Sequence, residues 1–217
     1  MRYLRATGGL AGTNAYLVID DDTSKAVLFD APDHTVAPLL DAVEREGLEL
    51  IGLWLTHGHF DHLADHQHVT DRFPNAEVLI HRFDADRLRK PGSSMFPLPF
   101  VIPPREPTRT IEDGQTLQLG NLTATVLHTP GHAPGHVMFH FEANKLLIGG
   151  DLIIGGAVGR TDLPGSDERQ MIDSVRRVMA LPDDTELLPG HGEPGTLGQE
   201  RATNRYVQAI LRHGGFA

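Results

Sequence analysis

Four potential metal ligands fall within six residues of this chain, in Thr56-His57-Gly58-His59-Phe60-Asp61-His62, and three more, His132, Asp151 and His191, each directly follow a glycine. Imidazole nitrogen and carboxylate oxygen suit zinc, iron or manganese, and the residue types alone do not choose among them. The 0, 2, 4, 5 spacing of the first cluster sends alternate imidazoles to one side of an extended turn and puts the last pair at a helix start. Two ligand sets can therefore diverge from one loop. The chain has no cysteine, which excludes a disulfide framework and thiolate sites and leaves histidine and carboxylate as the ligands. A solvated histidine-rich loop is the bland alternative, and it does not account for ligands this dense after an apolar strand.

Strands must position these side chains. Ile51 to Leu55 is a short apolar run ending at the cluster, and open α/β sheets bind ligands at strand carboxyl ends. Upstream, Asn14 to Asp20 and Lys25 to Asp30 flank the turn-like Asp21-Asp22-Thr23-Ser24 as a hairpin, and Val36 to Glu46 has helical spacing closed by Gly47. Downstream, the pattern predicts a helix from His62 to Phe73 stopped by Pro74, a strand over Glu77 to Ile80 and a short helix over Phe83 to Lys90. Pro91 to Pro107 carries six prolines among Met95, Phe96, Leu98, Phe100, Val101 and Ile102. That composition predicts an extended loop that walls a pocket or packs against another subunit.

The second half reads as strands over Thr116 to Leu119, Leu122 to Leu127, Val137 to Phe141 and Lys145 to Ile148. Ser166 is the expected cap of a helix running to about Ala180, and Glu186 to Leu188 is a last short strand. Thr196 and Gln199 form a capping-box pattern for a helix through Leu211. No long repeat and no linker divides the chain, so the expectation is one layered domain over residues 1 to 217 with mixed sheets.

At 217 residues and 40% hydrophobic content, one core is expected. A formal charge of -10 and the lack of any Lys/Arg-rich block argue against a nucleic-acid partner. The amino terminus lacks an apolar h-region and no segment reaches membrane-spanning length, so a cytoplasmic protein without a membrane partner is expected. Oligomeric state is not encoded in any pattern found here.

Taken with Thr129-Pro130-Gly131-His132, Gly149-Gly150-Asp151 and Pro189-Gly190-His191, the first cluster resembles the pattern of the metallo-β-lactamase-fold hydrolase superfamily, more narrowly its glyoxalase II-like (hydroxyacylglutathione hydrolase-like) branch of short bacterial type. The resemblance runs from about Asn14 to His191. It implies an α/β (α+β) chain folded as a four-layer αβ/βα sandwich with the site at one edge of two packed sheets. It places His57, His59 and His132 on one metal, Asp61, His62 and His191 on a second, and Asp151 between them. The implied cofactor is two divalent ions, zinc first, with iron or manganese as alternatives.

Two such ions polarise a carbonyl and lower the pKa of a bridging water, so that hydroxide attacks near neutral pH; in this scheme Asp61 both ligates and helps orient the hydroxide. No Gly-x-Ser-x-Gly elbow offers a side-chain nucleophile. The implied partner is a small-molecule thioester or related acyl substrate, S-lactoylglutathione or a smaller relative. A mononuclear iron persulfide dioxygenase using mainly His57, His132 and Asp151 is an alternative, as is a lactonase or β-lactamase.

Thr56 and Thr129 each precede a ligand and either orient imidazoles or cap turns. Asp30, at the end of the second strand, is expected to orient an imidazole as an acceptor, and it matches the family's first acidic position. Gly159-Arg160 resembles the place where glyoxalase II enzymes present a basic residue to the glutathionyl group, so Arg160 is either a substrate contact or a structural arginine on backbone carbonyls. Thr161-Asp162 stands where those enzymes have an aromatic residue, and the 26 residues after His191 are too few for a separate C-terminal glutathione-binding helical domain. Both departures loosen the tie to glutathione, and persulfide dioxygenases share Gly-Arg-Thr-Asp. His66, His68, His81, His128 and His140 read as surface or packing residues, and His136 as a structural, hydrogen-bonding histidine.

Overall fold

A computed structural model describes residues 1–216. Its first sheet contains β1 (Arg2–Gly8), β2 (Thr13–Asp20), β3 (Lys25–Phe29), β4 (Glu49–Trp54), β5 (Glu77–His81) and β6 (Arg109–Ile111), in that spatial order. The first three strands pair antiparallel and β3 through β6 pair parallel. Parallel neighbours need crossovers, and helices α1 (Ala37–Arg45), α2 (Phe60–Leu63), α3 (His66–Arg72) and α4 (Ala85–Arg89) lie in those connections.

The second half supplies β7 (Thr116–Leu119), β8 (Leu122–His128), β9 (Val137–Phe141), β10 (Leu146–Gly150), a small hairpin of β11 (Ile153–Ile154) and β12 (Ala157–Val158), then β13 (Glu186–Pro189) and β14 (Gly195–Thr196). Without the small hairpin, these form a sheet of order β14-β13-β10-β9-β8-β7. Helices α5 (Glu168–Val178), α6 (Leu197–Thr203) and α7 (Arg205–His213) complete the chain.

Strand periodicity explains how these elements stack. β2 is buried along its whole length; Ala15, Leu17 and Ile19 join a core with Leu39, Leu40, Leu63, Val69 and Leu88 of the first helices. The alternate residues Tyr16 and Val18 join Phe29, Trp54, Phe139 and Phe141 between the sheets. There the Phe29 ring meets Trp54 and Phe139 edge-on, at centroid distances of 5.5 and 5.1 Å. On the far side of the second sheet, Met138 and Leu147 pack with Met171, Val175, Val207 and Ile210. Three apolar layers thus separate helices, sheet, sheet and helices, which is the four-layer αβ/βα sandwich.

Several local expectations needed correction. β1 and β6 have no counterpart in the sequence reading: β1 is a half-exposed edge strand, and β6 has only three residues after the prolines. The helix expected over 62–73 is two pieces, because Asp65 turns inward, donating its amide to the Ala31 carbonyl and accepting the Thr35 amide. Asp167, not Ser166, caps α5 by accepting the Gln170 amide at 2.9 Å; the Ser166 hydroxyl donates to the Leu163 carbonyl. The Thr196–Gln199 capping box is present, yet its helix stops at Asn204, whose side chain accepts the amides of Tyr206 and Val207 and starts α7.

The segment between α4 and β6 has no regular secondary structure, as its prolines require. Leu98, Phe100 and Ile102 pack on the core beneath the first helices, and His66 Nε2 donates to the Pro103 carbonyl at 2.8 Å. Among the described residues no helix is long and apolar enough to cross a membrane.

Candidate metal centre

All seven sequence-predicted donors meet at one edge of the two sheets, on turns after β4, β8, β10 and β13. His57 Nε2 lies 3.0 Å from His59 Nδ1, which lies 2.8 Å from His132 Nε2. In the second group, Asp61 Oδ2 is 3.5 Å from His62 Nε2 and 3.4 Å from His191 Nε2. Asp151 sits between the groups: its Oδ2 is 3.5 Å from His132 Nε2 and 3.3 Å from His191 Nε2, and its Oδ1 is 3.4 Å from His62 Nε2.

Hydrogen bonds behind the donors decide where their lone pairs point. Asp30 Oδ1 accepts the Thr56 amide and Oδ2 accepts the Thr56 hydroxyl, each at 2.8 Å. With its proton committed to Asp30, Thr56 Oγ1 accepts from His57 Nδ1 at 3.1 Å, leaving His57 Nε2 bare. His62 Nδ1 donates to Asp30 Oδ2 at 2.8 Å, and His132 Nδ1 donates to the Arg160 carbonyl at 2.9 Å. The far nitrogens of His57 and His132 therefore point into the first group of donors and that of His62 into the second, where each can ligate a cation once it is bare.

Two buried atoms in the cluster, His62 Nε2 and Asp151 Oδ1, have no hydrogen-bond partner. Buried orphans of this kind are costly, and both are aimed at the gap between donors. The residues present fit the binding of divalent metal.

The electrostatics match. Burial, with His132 and Arg87 adding repulsion, pushes His59 down to about 3, and burial with neighbouring His62 holds His57 well below the usual imidazole range. Burial opposes charge on Asp61, but the His62 charge and hydrogen bonds from His191 and Thr13 outweigh it and bring the carboxyl to about 2. Asp151 is likewise held well below the carboxylate range against burial, by His62 and His191. Burial also disfavours charge on His191, but its hydrogen bonds to Asp151 and Asp61 raise it to about 9. The second group of donors thus concentrates negative charge that a cation, or in its place a proton, must neutralise.

Other side chains fix the donors in space. Thr13 Oγ1 donates to Asp61 Oδ2 at 2.8 Å. The Asn14 amide donates to the Gly190 carbonyl, while its side chain and the Tyr16 hydroxyl donate to the Pro189 carbonyl; together these anchor the His191 turn on β2. His136 accepts the Asp151 amide at Nε2 (2.9 Å) and donates from Nδ1 to Thr129 Oγ1 (2.8 Å). Thr129 thus orients His136 rather than the ligand His132 three residues after it, and His136 holds the backbone of Asp151.

Thr13, Asn14, Tyr16 and buried Asp84 escaped the sequence reading. They stand in ordinary strand or helix-start contexts, and nothing local marks their long-range bonds. Of the remaining histidines, His66 and His81 are buried, His68 is exposed, and His81 stacks on His128 with centroids 4.2 Å apart.

A cleft of about 600 Å³ opens over the donors, its lining including apolar Leu10, Met95 and Phe96 and basic Arg87, Lys90 and Arg160, with Arg160 Nη1 3.5 Å from Met95 Sδ. Part of the proline-rich loop is therefore a cleft wall. Arg160 is half tied up: Nε and Nη2 each lie 2.8 Å from an Asp162 oxygen, and its own carbonyl, not its guanidinium, touches a donor. It does not bind backbone carbonyls of the glycine-rich loop. Lys90 has no ion-pair partner among the described residues.

A family model described as the metallo-beta-lactamase superfamily matches residues 8–191. The chain is similar to a solved structure described as BLEG-1 B3 metallo-beta-lactamase, at 31% identity and a TM-score of 0.88, over 95% of this chain and 99% of that one. It is also similar to TTHA1623, solved in a di-iron-bound form, at 35% identity and a TM-score of 0.82, over 93% and 98% of the two chains. Hydroxyacylglutathione hydrolase GloC of Haemophilus influenzae is 30% identical, with 90% of this chain and 93% of that protein covered. With the matched segment spanning all seven donors, the chain belongs to the metallo-beta-lactamase superfamily of metal-dependent hydrolases.

Proposed function

We propose that this hydrolase is dinuclear and cleaves small thioesters carrying an anionic leaving group, S-lactoylglutathione or a shorter relative. The observation that carries the reading is Asp151, whose two oxygens face donors of both groups within 3.5 Å. Likeness to the GloC protein supports the thioester class. Two divalent ions, zinc or iron, would supply polarisation of the substrate carbonyl and activation of the attacking water.

The chain's own residues set the geometry of attack. Thr13 holds Asp61 Oδ2 facing His191, so that this carboxylate can accept a hydrogen bond from the attacking water and fix its direction. Leu10, Met95 and Phe96 offer the acyl group apolar surface in the cleft, and Lys90, which shares its lining, attracts the leaving group's carboxylate. Arg160 contributes less, because Asp162 already neutralises it.

Likeness to a B3 metallo-beta-lactamase favours β-lactam hydrolysis as a second reading. Steady-state hydrolysis of S-lactoylglutathione, a short neutral thioester, a lactone and a β-lactam by metal-replete protein separates the two. Preference for thioesters by kcat/KM supports the proposal, and no thioester turnover alongside β-lactam turnover refutes it.

A further inference from the structure

Asp84 is fully buried and is not one of the seven donors. It stands at the N-cap of α4, where a carboxylate ordinarily accepts amides of the first turn, yet its side chain caps nothing. Both oxygens turn away from the helix. Oδ2 accepts the Gly58 amide at 2.7 Å, and Oδ1 accepts the Gly135 amide at 2.9 Å. Gly58 separates His57 from His59, and Gly135 lies in the turn that begins at His132.

One carboxylate therefore spans the two turns that carry all three donors of the first group. The glycines are matched to it. A Cβ on Gly58 would come within 2.7 Å of Arg87 Cβ and 3.1 Å of Asp84 Cβ, and a Cβ on Gly135 within 2.8 Å of Asp84 Cβ. Arg87 Nε, 3.9 Å from Oδ1, offsets the buried charge. The second group is secured by other means, with Asp61 on Thr13, His62 on Asp30 and the His191 turn on Asn14.

We propose that Asp84 is a positioning residue that sets the spacing between His59 and His132 and thereby the affinity of the first metal position, with little influence on the second. The inference rests on the dinuclear reading. Asp84→Asn keeps the size of the side chain but turns an N–H donor toward one of two amides that can only donate, so one clamp bond is lost and the charge with it.

The test is metal retained per chain as chelator is titrated into metal-loaded protein, for wild type, Asp84→Asn, Gly135→Ala and, as the complementary reference, His191→Ala. Wild-type stoichiometry of two checks the dinuclear reading independently of the variants. Asp84→Asn is expected to weaken one ion about 10- to 100-fold, the range for lost outer hydrogen bonds to ligands, and to leave the other at wild-type affinity. Combining it with His191→Ala is expected to weaken both ions, each by the factor that its own single variant shows. Gly135→Ala pushes on the same clamp from its other side and is expected to reproduce the selective loss, which decides the matter if Asp84→Asn fails to fold. Equal weakening of both ions, or wild-type retention in a folded variant, overturns the proposal, since a merely structural role would not discriminate between positions.

Discussion

Asp30 Oδ2 accepts the His62 Nδ1 proton at 2.8 Å and, on the same atom, the Thr56 hydroxyl that in turn accepts from His57. A single buried carboxylate thus sets the tautomer of one donor in each metal group. Asp30 adopts φ 59°, a conformation asparagine also tolerates, so Asp30→Asn removes the charge with little backbone cost. Both ions should then bind about 10- to 100-fold more weakly. Chelator competition checks this, and weakening of one ion alone would contradict it.

Metal uptake should release protons. In the metal-free protein, hydrogen bonds to Asp151 and Asp61 hold His191 at about 9 and the surrounding carboxylates raise His62, so His191 is protonated at pH 7, whereas ligation needs bare nitrogens. About one proton or more should leave per chain loaded. Calorimetric titration in buffers of different ionisation enthalpy measures the number, and buffer-independent heats would refute it.

The same groups shape the stability of metal-free protein. The raised His191 contributes stability that is present below its unfolded value near 6.5 and lost as pH rises through about 9. The depressed His59 and His136, each at about 3, contribute stability present above 6.5 and lost as pH falls toward 3. Thermal midpoints of stripped protein should therefore peak near pH 6.5 and decline on both sides. A monotonic profile from pH 4 to 9 would rule this out.

Gly190 has no room for a side chain: a Cβ there would meet Asp151 Oδ1 and lie 2.8 Å from His62 Cε1. Gly190→Ala should displace Asp151 from between the groups and lower both metal content and kcat at least tenfold, while far-UV circular dichroism stays native. Wild-type metal content in this variant would show that Asp151 is not held where the bonds place it.

The cleft cations should differ in effect. Lys90→Ala is expected to raise KM for an anionic thioester about 3- to 10-fold, the loss of one partly exposed charge contact of roughly 1 kcal/mol, with kcat nearly unchanged. Arg160→Ala, already neutralised by Asp162, should change KM less. Equal effects on a neutral thioester would remove Lys90 from substrate recognition.

Between the sheets, Phe139 touches both Phe29 and Trp54. Phe139→Ala should cost about 3 to 5 kcal/mol of stability by leaving a cavity there, read from denaturant midpoints. A loss below about 1 kcal/mol would mean that the sheets close over the gap.

The donors were legible because their types and glycine-flanked turns are local features, and the strands before them carry the apolar runs that buried strands require. The groups that aim them were less so. Asp30 is legible from its place at a strand end together with the family pattern, while Asp84 in Asp-Ala-Asp reads as an ordinary helix cap and Thr13 as a strand residue, each reaching a partner dozens of residues away. Thr129 stands three residues before His132 in sequence, but the fold turns its hydroxyl to His136. The break of the last helix at Asn204 is held by a side-chain bond to the Ala157 carbonyl, a tertiary partner that helical periodicity does not register.

The central claim, two ions sharing Asp151, is tested most directly by elemental analysis of protein purified without added metal and then loaded, beside its Asp151→Ala variant. The account predicts two equivalents of zinc or iron in the wild type and no more than one in the variant. One equivalent in the loaded wild type, unchanged by Asp151→Ala, would contradict it.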